Sequence, residues 1–343
     1  MVIFEISNIF AGKIAKKSMK QVLGIGNALV DVLFPVPDDA FLETLNLPKG
    51  SMQLIDTERY REIGDRMSGL PREMATGGSA CNTILALASM GAQPGVIGKI
   101  SDDEYGRFFS DTCREKGIRA HLLADTLPTG VASTFITPDG QRTFGTYLGA
   151  AARMTADDIR PEWLDGYGYF YAEGYLVQNH ELIERAADLA REHGLKMCLD
   201  LASYNIVEAE RDFFAHLLTK TDIVFANEEE ARAFTGKDAE KALGILAGIC
   251  GTAVVKTGPR GAMAQCGDRR AEVPALPVDK VTDTTAAGDF FAAGFLYAHA
   301  SGGDLAGCLH CGTILATEVI QTFGTKLEEC VWEKCRKAVA GRL

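Results

Sequence analysis

The sequence lacks the features that would mark a membrane protein or a nucleic-acid-binding protein. No apolar run reaches the roughly 18 residues that a helix needs to cross a bilayer. The 343 residues carry 35 basic and 46 acidic side chains, for a formal charge of −11, and no basic stripe offsets the excess. Such a chain is a poor partner for nucleic acid or an anionic membrane. We therefore expect small-molecule ligands and no contact with nucleic acid or membrane.

A disulfide framework and a secretory signal are also absent from the sequence. The nine cysteines have no regular spacing, and the lysines of the first 20 residues follow the apolar residues instead of preceding them, the reverse of a signal peptide. The pair Cys308 and Cys311 lies in a predicted helix without a second pair at zinc-site spacing. These features predict free thiols, a cytoplasmic location and a disordered leader over residues 1–20.

What the chain does contain is an alternation of buried-strand and helix patterns. Strands are predicted at residues 21–26, 94–100, 168–174, 196–201, 222–227 and 253–258. Helices are predicted between them at residues 81–92, 181–194, 228–236 and 241–251. This alternation predicts an α/β fold over residues 21–343, a three-layer sandwich around a central, mostly parallel sheet.

Two regions interrupt this alternation with hairpin signals. They are residues 33–56 and 131–154, and the clearest turn is Pro138, Asp139 and Gly140 between two β-rich runs. We predict that both regions supply strands to a small second sheet, a β lid that projects from the main domain.

Neither common glycine motif for nucleotides is present. In the P-loop pattern, Ile100 follows Gly98 and Lys99 where Ser or Thr is required, and Gln93 stands where the first glycine belongs. In the dinucleotide pattern, Leu29 replaces the third glycine. Any phosphate-bearing ligand would therefore have to be bound by other means.

The segment "VTDTTAAGDFFAAGFL", residues 281–296, offers such a means. Ala286, Ala287 and Gly288 form a small-residue turn before a predicted helix, and Asp289 lies in its first turn. The first N–H groups of a helix attract anions, so a carboxylate there would repel a phosphate unless it takes part in the chemistry. The segment alone leaves open a plainer role, in which Asp289 stabilises the helix by about 0.5 kcal/mol.

With this segment, the sequence resembles the ribokinase-like (PfkB) family of sugar and nucleoside kinases. The family signature Asp-Thr-x-Gly-Ala-Gly-Asp is matched by residues 283–289, except that Ala286 replaces the first glycine. The resemblance extends from about residue 22 to residue 326. It includes, in family order, "GNALVD" (26–31), "TGGSACN" (76–82), "GKISDDEYG" (98–106), "NEEEA" (227–231) and "KTGPRGA" (256–262).

The resemblance implies phosphoryl transfer from ATP with Mg²⁺, and leaves open a monovalent cation. Asp289 would be the base, and the N–H groups of Ala287 and Gly288 would stabilise charge on the phosphoryl oxygens. Asn227 and Glu230 would hold hydrated Mg²⁺. The residues implied for nucleotide binding are Thr257, Gly258, Gly261, Asp283 and Thr284, while Lys256 and Arg260 either contact phosphate or are solvated. If Ala286 needs a positive φ, alanine costs on the order of 1 kcal/mol there.

The acceptor site implied by the resemblance centres on Asp31, whose carboxylate would accept hydrogen bonds from two substrate hydroxyls. Asn27 and Asn82 would add donors, and Gly77 and Gly78 would let the substrate approach the backbone. Apolar and aromatic surface for a nucleoside base would come from Gln53, Phe135, Leu148 and Tyr175.

The two acceptor motifs are more similar to those of adenosine kinases than to those of ribokinases, in which a lysine usually stands at the position of Ser79. We therefore expect a kinase that phosphorylates a primary hydroxyl of an adenosine-like nucleoside, as a monomer or homodimer. A kinase for ribose, fructose or a related sugar is the alternative. Ala286 suggests a third hypothesis, a catalytically weak module that binds nucleosides.

Overall fold

The computed structural model describes residues 19–139 and 141–342. Most of the predicted leader, residues 1–18, lies outside the described residues, as do Gly140 of the predicted turn and Leu343. Lys20, the last residue of the predicted leader, belongs to the domain instead, because its N–H donates a hydrogen bond to the carbonyl oxygen of Ala300 at 3.3 Å.

The strands and helices alternate as predicted. The strands are β1 (Gln21–Ile25), β2 (Leu29–Pro35), β3 (Met52–Leu54), β4 (Glu73–Gly77), β5 (Gly95–Ile100), β6 (Arg119–Ala124), β7 (Gly130–Ile136), β8 (Arg142–Tyr147), β9 (Tyr167–Glu173), β10 (Lys196–Asp200), β11 (Ile223–Asn227), β12 (Thr252–Lys256), β13 (Ala262–Cys266) and β14 (Arg269–Val273). The helices are α1 (Asp39–Thr44), α2 (Thr57–Met67), α3 (Ser79–Ser89), α4 (Glu104–Glu115), α5 (His180–Glu192), α6 (Tyr204–Ala209), α7 (Arg211–Leu218), α8 (Glu228–Thr235), α9 (Ala239–Ile249), α10 (Ala287–Ala300), α11 (Leu305–Val319) and α12 (Glu329–Ala340). No helix in the described part of the chain is long and apolar enough to cross a membrane.

Local capping chemistry decides where several helices begin and end. The side chains of Asp103 and Asn179 accept hydrogen bonds from the first turns of α4 and α5, respectively. The helix α8 ends at Gly236, which has the left-handed conformation with φ 69°. Oxygen-bearing side chains satisfy unpaired N–H groups at a helix start, and glycine adopts positive φ without steric cost at a helix end.

The main sheet has nine strands in the order β14-β13-β12-β11-β10-β9-β1-β5-β6. Neighbours are parallel from β6 to β12, whereas β13 and β14 add an antiparallel edge. The predicted three-layer, mostly parallel architecture is confirmed. The chain places β5 on one side of β1 and β9 on the other, and α/β folds bind ligands beyond the carboxyl ends of strands at such a switch in order.

Successive residues of the central strands face opposite helix layers. Val22 and Tyr171 pack in one buried cluster with α3, α10 and α11, while Leu23 and Phe170 pack in a second with α5, α7 and α9. A strand buried on both faces reads as a continuous apolar run, because side chains alternate between the faces. The apolar runs of the sequence therefore identified these strands without revealing which residue faces which layer.

The second sheet has five strands in the order β3-β8-β7-β2-β4. The hairpin of β7 and β8 is antiparallel as the turn signal predicted. The boundaries differ from the prediction: β2 begins at Leu29, β4 was not predicted, and α1 occupies the middle of residues 33–56. Beyond β8, residues 149–153 form a short 3-10 helix instead of lid strand. The helices α1 and α2 cover the outer face of this sheet, where Phe34 stacks on Phe135.

Candidate active site

Four neighbouring strands of the main sheet end in polar side chains at one edge. Glu173 ends β9, Asp200 ends β10, Asn227 ends β11 and Lys256 ends β12. Asp200 is the register partner of Glu173, and Asn227 is that of Lys256. Because parallel strands place their carboxyl ends together, this edge gathers three charged groups and one amide from four distant parts of the chain.

Asp289 lies above this edge in the first turn of α10. Its two carboxylate oxygens accept hydrogen bonds from Ser79 Oγ at 2.7 Å and from Asn82 Nδ2 at 3.0 Å. Burial raises the pKa of Asp289 to about 7; the hydrogen bonds from Ser79 and Asn82 oppose the shift, and the Asp200 charge adds to it. A carboxyl group that is held in place and titrates near neutrality suits a general base.

Ala286 precedes α10 in the left-handed conformation, with φ 59° and ψ 7°. The positive φ that we expected to strain alanine at this position is therefore present. The N–H of Ala287 donates to the carbonyl oxygen of Thr284 at 3.2 Å. The next two N–H groups, of Gly288 and Asp289, have no intrahelical partner because they belong to the first turn. These two N–H groups are therefore available to bind an anion, whereas the N–H of Ala287 is used within the turn.

The carboxylate of Asp283 stabilises this turn through hydrogen bonds and an ion pair. It accepts hydrogen bonds from the N–H groups of Thr285 at 3.0 Å and Gly324 at 2.9 Å. It also forms an ion pair with Arg142, which reaches over from the lid strand β8. The structure thus uses Asp283 to shape the anion turn and join it to the lid, while the side chain of Thr284 is exposed.

Asp31 lies on the inner face of the lid sheet, within β2. Its carboxylate accepts no hydrogen bond from the described residues. A Cβ atom on Gly77 would collide with this carboxylate, which explains the first glycine of the Gly-Gly pair. Burial raises the pKa of Asp31 to about 7; the Asp289 charge adds to the shift and Arg142 opposes it. A half-buried carboxylate without a partner among the described residues is suited to ligand hydroxyls.

Asn27 is held by a buried acid that the sequence reading did not single out. Both the backbone N–H and the side-chain amide of Asn27 donate to Glu173 Oε1, the former at 2.9 Å. The other oxygen of Glu173 accepts from the N–H of Ala80 at 2.9 Å. Gly78, just before α3, packs against the loop that contains Asn27. Its φ is 92°, and a Cβ atom there would collide with the carbonyl oxygen of Asn27. Glu173 thus joins β9, the loop after β1 and the start of α3.

Asn82, predicted as a substrate donor, donates a hydrogen bond from its side-chain amide to Asp289. Residue spacing alone could not show this, since the two residues are 207 positions apart. Ser79 acts in the same way from the preceding turn of α3.

A cavity of about 690 Å³ lies between the lid sheet and the strand ends. Asn27, Gly78, Ser79 and Glu173 line one part of it. The remaining lining is mixed. Its apolar residues are Leu29, Met52, Leu54, Ala132, Leu148, Ala151, Ala152, Met154, Tyr175, Leu176, Leu182 and Ile206, and its polar residues are Thr146, Gln178, Asn179, His180, Glu181, Ser203 and Asn205. Leu148 and Tyr175 are where the base-binding prediction placed them. Asp31 adjoins the cavity, since its register partner Ala132 lines it.

Gln53 and Phe135 do not line this cavity, and those two predictions were wrong. On β3 the residues that face the cavity are Met52 and Leu54, on either side of Gln53. On β7, Phe135 is fully buried on the outer face of the sheet, stacked on Phe34. Side chains of a strand alternate between faces, so an error of one residue places a side chain on the wrong side.

Asn227 and Glu230 form a capping box at the start of α8. Asn227 Oδ1 accepts from the N–H of Glu230 at 2.9 Å, and Glu230 Oε2 accepts from the N–H of Asn227 at 2.8 Å. Burial raises the pKa of Glu230 to about 7, with the Asp200 charge adding to the shift and Lys256 opposing it. The described residues contain no group of three His, Cys, Asp or Glu side chains that could hold a metal ion directly. Contact of Asn227 and Glu230 with a hydrated Mg²⁺ ion stays a prediction of the family resemblance.

The predicted nucleotide loop after β12 is bonded to itself. The N–H and hydroxyl of Thr257 both donate to the carbonyl oxygen of Gly261, at 2.8 and 2.9 Å. Gly258 and Gly261 have φ of 57° and 108°, values that glycine adopts without strain. Arg260 pairs with Glu228 on the surface.

The residues that were missed share a recognisable signal. Glu173 and Asp200 each end a buried apolar run, just as Asn227 does, and the same strand-end argument would have selected them. Ser79 had no such signal, because a serine after two glycines reads as an ordinary helix start.

The fold is shared with known kinases. The model of the pfkB family carbohydrate kinases matches residues 49–331. Adenosine kinase 2 of Arabidopsis thaliana is 26% identical over 332 residues, covering 90% of this chain and 96% of that protein. The crystal structure of adenosine kinase from Sinorhizobium meliloti is 35% identical with a TM-score of 0.83, covering 94% of this chain and 100% of that one. A probable sugar kinase from Rhizobium etli is 34% identical with a TM-score of 0.84, covering 95% and 99%.

The family match spans most of the chain. A phosphotransferase with an alcohol acceptor follows from the family. The chain belongs to the pfkB family of carbohydrate kinases and has the ribokinase-like fold.

Proposed function

We propose that this kinase transfers the γ-phosphoryl group of ATP to a primary hydroxyl of a nucleoside, with adenosine as the preferred acceptor. The observation that carries the proposal is the division of the cavity into a polar part and an apolar wall. The polar part, beside Asp31 and Asn27, suits a ribose ring. The wall, with Leu29, Leu54 and Leu148, suits a flat, weakly polar base.

The charges of the cavity favour a neutral acceptor. No lysine or arginine of the described residues lines it, whereas Glu173 and Glu181 do. A carboxylate or phosphate on the acceptor would be desolvated beside these acids without a cation to pair with. Sugar phosphates and sugar acids are therefore poor candidates, while an uncharged nucleoside or sugar fits.

The arrangement of side chains supports phosphoryl transfer by a positioned base. Asp31 binds hydroxyls of the acceptor and so orients its primary hydroxyl toward Asp289. Ser79 and Asn82 hold the carboxylate of Asp289, which accepts the proton of that hydroxyl as the oxygen attacks phosphorus. The N–H groups of Gly288 and Asp289 stabilise charge on the phosphoryl oxygens. Bound Mg²⁺ would neutralise phosphate charge, and Glu230 with Asn227 would hold its water shell.

A sugar kinase is the second candidate, and the polar part of the cavity favours it. Asn27, Ser79 and Glu173 surround a region rich in hydrogen-bonding groups, as a free sugar requires. The probable sugar kinase of Rhizobium etli has the same fold at similar identity. A monosaccharide, however, would leave the apolar wall uncovered.

The decisive experiment measures ADP release by the purified chain with Mg·ATP and a panel of acceptors. The panel contains adenosine, guanosine, cytidine, uridine, ribose and fructose, and the Asp289→Asn variant reports any contaminating activity. We expect the highest kcat/KM with adenosine and a product phosphorylated on the 5′-hydroxyl by phosphorus NMR. A higher kcat/KM with ribose or fructose than with any nucleoside would establish the sugar kinase instead. No turnover with any acceptor would reject both.

A further inference from the structure

The proposed mechanism gives no role to Lys256, although this side chain lies at the site. Lys256 ends β12, and its side chain retains only 15% exposure. Its ammonium donates a hydrogen bond to Asp200 Oδ2 at 2.9 Å, the only one that it makes to the described residues. An ammonium has three donors, so two N–H groups of Lys256 are left for another acceptor.

The free donors of Lys256 lie next to the anion turn. A Cβ atom built on Gly288 would stand 3.0 Å from Lys256 Nζ. The ammonium therefore lies against the first turn of α10, beside the two N–H groups available to a phosphate. This proximity also explains why residue 288 is a glycine, because any side chain there would press on the lysine.

Carboxylates surround the place that a phosphate would approach, so a fixed cation there favours phosphate binding. Asp200, Glu230 and Asp289 all act on Lys256, and two of them, Asp200 and Glu230, are almost fully buried. A helix start contributes only about half a positive charge, less than these carboxylates oppose. Burial lowers the pKa of Lys256, but the three acids raise it by more, so the ammonium stays charged.

We propose that Lys256 is a further catalytic residue, whose ammonium binds the transferred phosphoryl group while Asp200 holds it in position. The proposal rests on the proposed kinase function and assigns one cation to the γ-phosphate. Asp200 uses one ammonium hydrogen and leaves two for phosphate oxygens. A charged donor that is held before the reaction begins stabilises the developing charge without reorganisation.

The alternative is that Lys256 only neutralises Asp200, and a pair of variants separates the two roles. Lys256→Met removes the ammonium and leaves Asp200 unpaired, which can itself destabilise the chain. The double variant Asp200→Asn with Lys256→Met removes both charges and leaves no unpaired buried ion. If Lys256 contacts phosphate, the double variant stays defective; if it only neutralises Asp200, the double variant recovers.

The readouts are binding of Mg·AMP-PNP and Mg·ADP by calorimetry, and kcat with the best acceptor. Both variants should bind AMP-PNP at least about tenfold more weakly, because a hydrogen bond to a charged group contributes about that much to affinity. Their affinity for ADP should change much less, because ADP has no γ-phosphate. Both should lose about 100-fold in kcat. The control is Lys99→Met, which removes another buried lysine, paired with Asp158 at 2.7 Å, and should keep the wild-type preference for AMP-PNP over ADP.

Recovery of AMP-PNP affinity and kcat in the double variant would overturn the proposal, as would unchanged AMP-PNP affinity in Lys256→Met. Thermal melts of each variant show whether it is folded, and the double variant decides the question if Lys256→Met is not. A wild-type chain that phosphorylates no acceptor would reject the proposed function. The comparison of AMP-PNP with ADP would still test Lys256 in that case, so the two failures are distinguishable.

Discussion

At the scale of single residues, Asp289 shows how the fold gives an ordinary acid the properties that the proposed base requires. Burial and the Asp200 charge raise its pKa, while Ser79 and Asn82 stabilise the ionised form. The balance leaves a carboxyl group that titrates near neutral pH, where it is both deprotonated and able to take up a proton.

This pKa predicts the dependence of activity on pH. Because Asp289 must be deprotonated to accept a proton, kcat/KM should fall as the pH drops below about 7, and be level above it. The fall should approach tenfold per pH unit, and be steeper if Asp31, with a similar pKa, must also be charged. Measurement of kcat/KM from pH 5.5 to 9 checks this. Asp289→Asn should lower kcat at least about 100-fold while ATP still binds, and a flat wild-type profile would contradict the assignment.

Ala286 is a residue whose strain is visible in the backbone. Its φ of 59° belongs to the left-handed region, which costs a residue with a Cβ about 1 kcal/mol or more. Glycine, the family residue at this position, avoids that cost but loses more entropy on folding.

Ala286→Gly should therefore raise the free energy of unfolding by about 0.5 kcal/mol, after the two effects partly cancel. It should leave kcat equal or higher, because the anion turn keeps its shape. Ala286→Val is the matched control: a β-branched side chain at positive φ should lower the free energy of unfolding by at least about 1 kcal/mol. Urea unfolding and steady-state kinetics provide both readouts. A large drop in kcat for Ala286→Gly would show that alanine is needed for this enzyme's chemistry.

At the scale of elements, the junction of β4 and α3 connects the lid to the base. Gly77 ends β4 against Asp31, and Gly78 turns the chain at φ 92° into α3. The first residues of α3, Ser79 and Asn82, then hold Asp289. One short segment thus positions both the acceptor-binding acid and the base, which is why two adjacent glycines are needed there.

Gly77→Ala tests this junction. The new methyl group would displace the carboxylate of Asp31, a flexible side chain, so the chain should fold but bind the acceptor poorly. We expect the KM of the acceptor to rise at least about tenfold, the cost of a lost charged hydrogen bond, with the KM of ATP nearly unchanged. Gly244→Ala on α9 is the control, because no atom lies within 4 Å of its added Cβ. Equal effects on the two KM values would place the defect elsewhere.

At the scale of the whole molecule, the active site concentrates buried acids whose pKa values are raised. Asp31, Glu230 and Asp289 each have a pKa of about 7, and burial is the largest cause in every case. A carboxyl group whose pKa is higher in the folded state destabilises that state at pH values above its folded pKa. These acids therefore lower the free energy of unfolding at pH values above about 7.

The pH dependence of stability checks this cost for Asp289. At pH 8 the neutral amide of Asp289→Asn should make the variant more stable than the wild type, on the order of 1 kcal/mol. The advantage should shrink as the pH falls through 7 toward 6, because the wild-type carboxyl group then takes up a proton in the folded state. Urea unfolding at pH 6, 7 and 8 measures both.

Asp139→Asn is a control of opposite sign. Hydrogen bonds from Lys49, Thr137 and Gln141 lower the pKa of Asp139, so its neutral variant should be less stable than the wild type at pH 8. Equal stability of Asp289→Asn and the wild type at every pH would contradict the raised pKa of Asp289.

The sequence by itself determined the order of strands and helices, the layered fold and the family. Apolar runs such as residues 196–201 and 222–227 are long enough to be recognised locally, and the helices between them have their own caps and periodicity. The candidate site residues inside ordered motifs, Asp31 and Asp289 above all, could likewise be predicted from local sequence, because each motif keeps its spacing.

Only the tertiary structure decided which side chains meet and which way they face. Ser79 and Asp289 are 210 residues apart, and no local pattern links a helix start to a distant carboxylate. The three residues of β3 are too few to show an alternation, so the choice of Met52 and Leu54 over Gln53 depended on pairing with β8. From the sequence, Lys256 could be either a phosphate ligand or a solvated cation; in the structure it is largely enclosed and paired with Asp200, which ends a strand two positions away in the sheet. Such contacts arise from the packing of parallel strand ends, which brings distant residues together only once the sheet has formed.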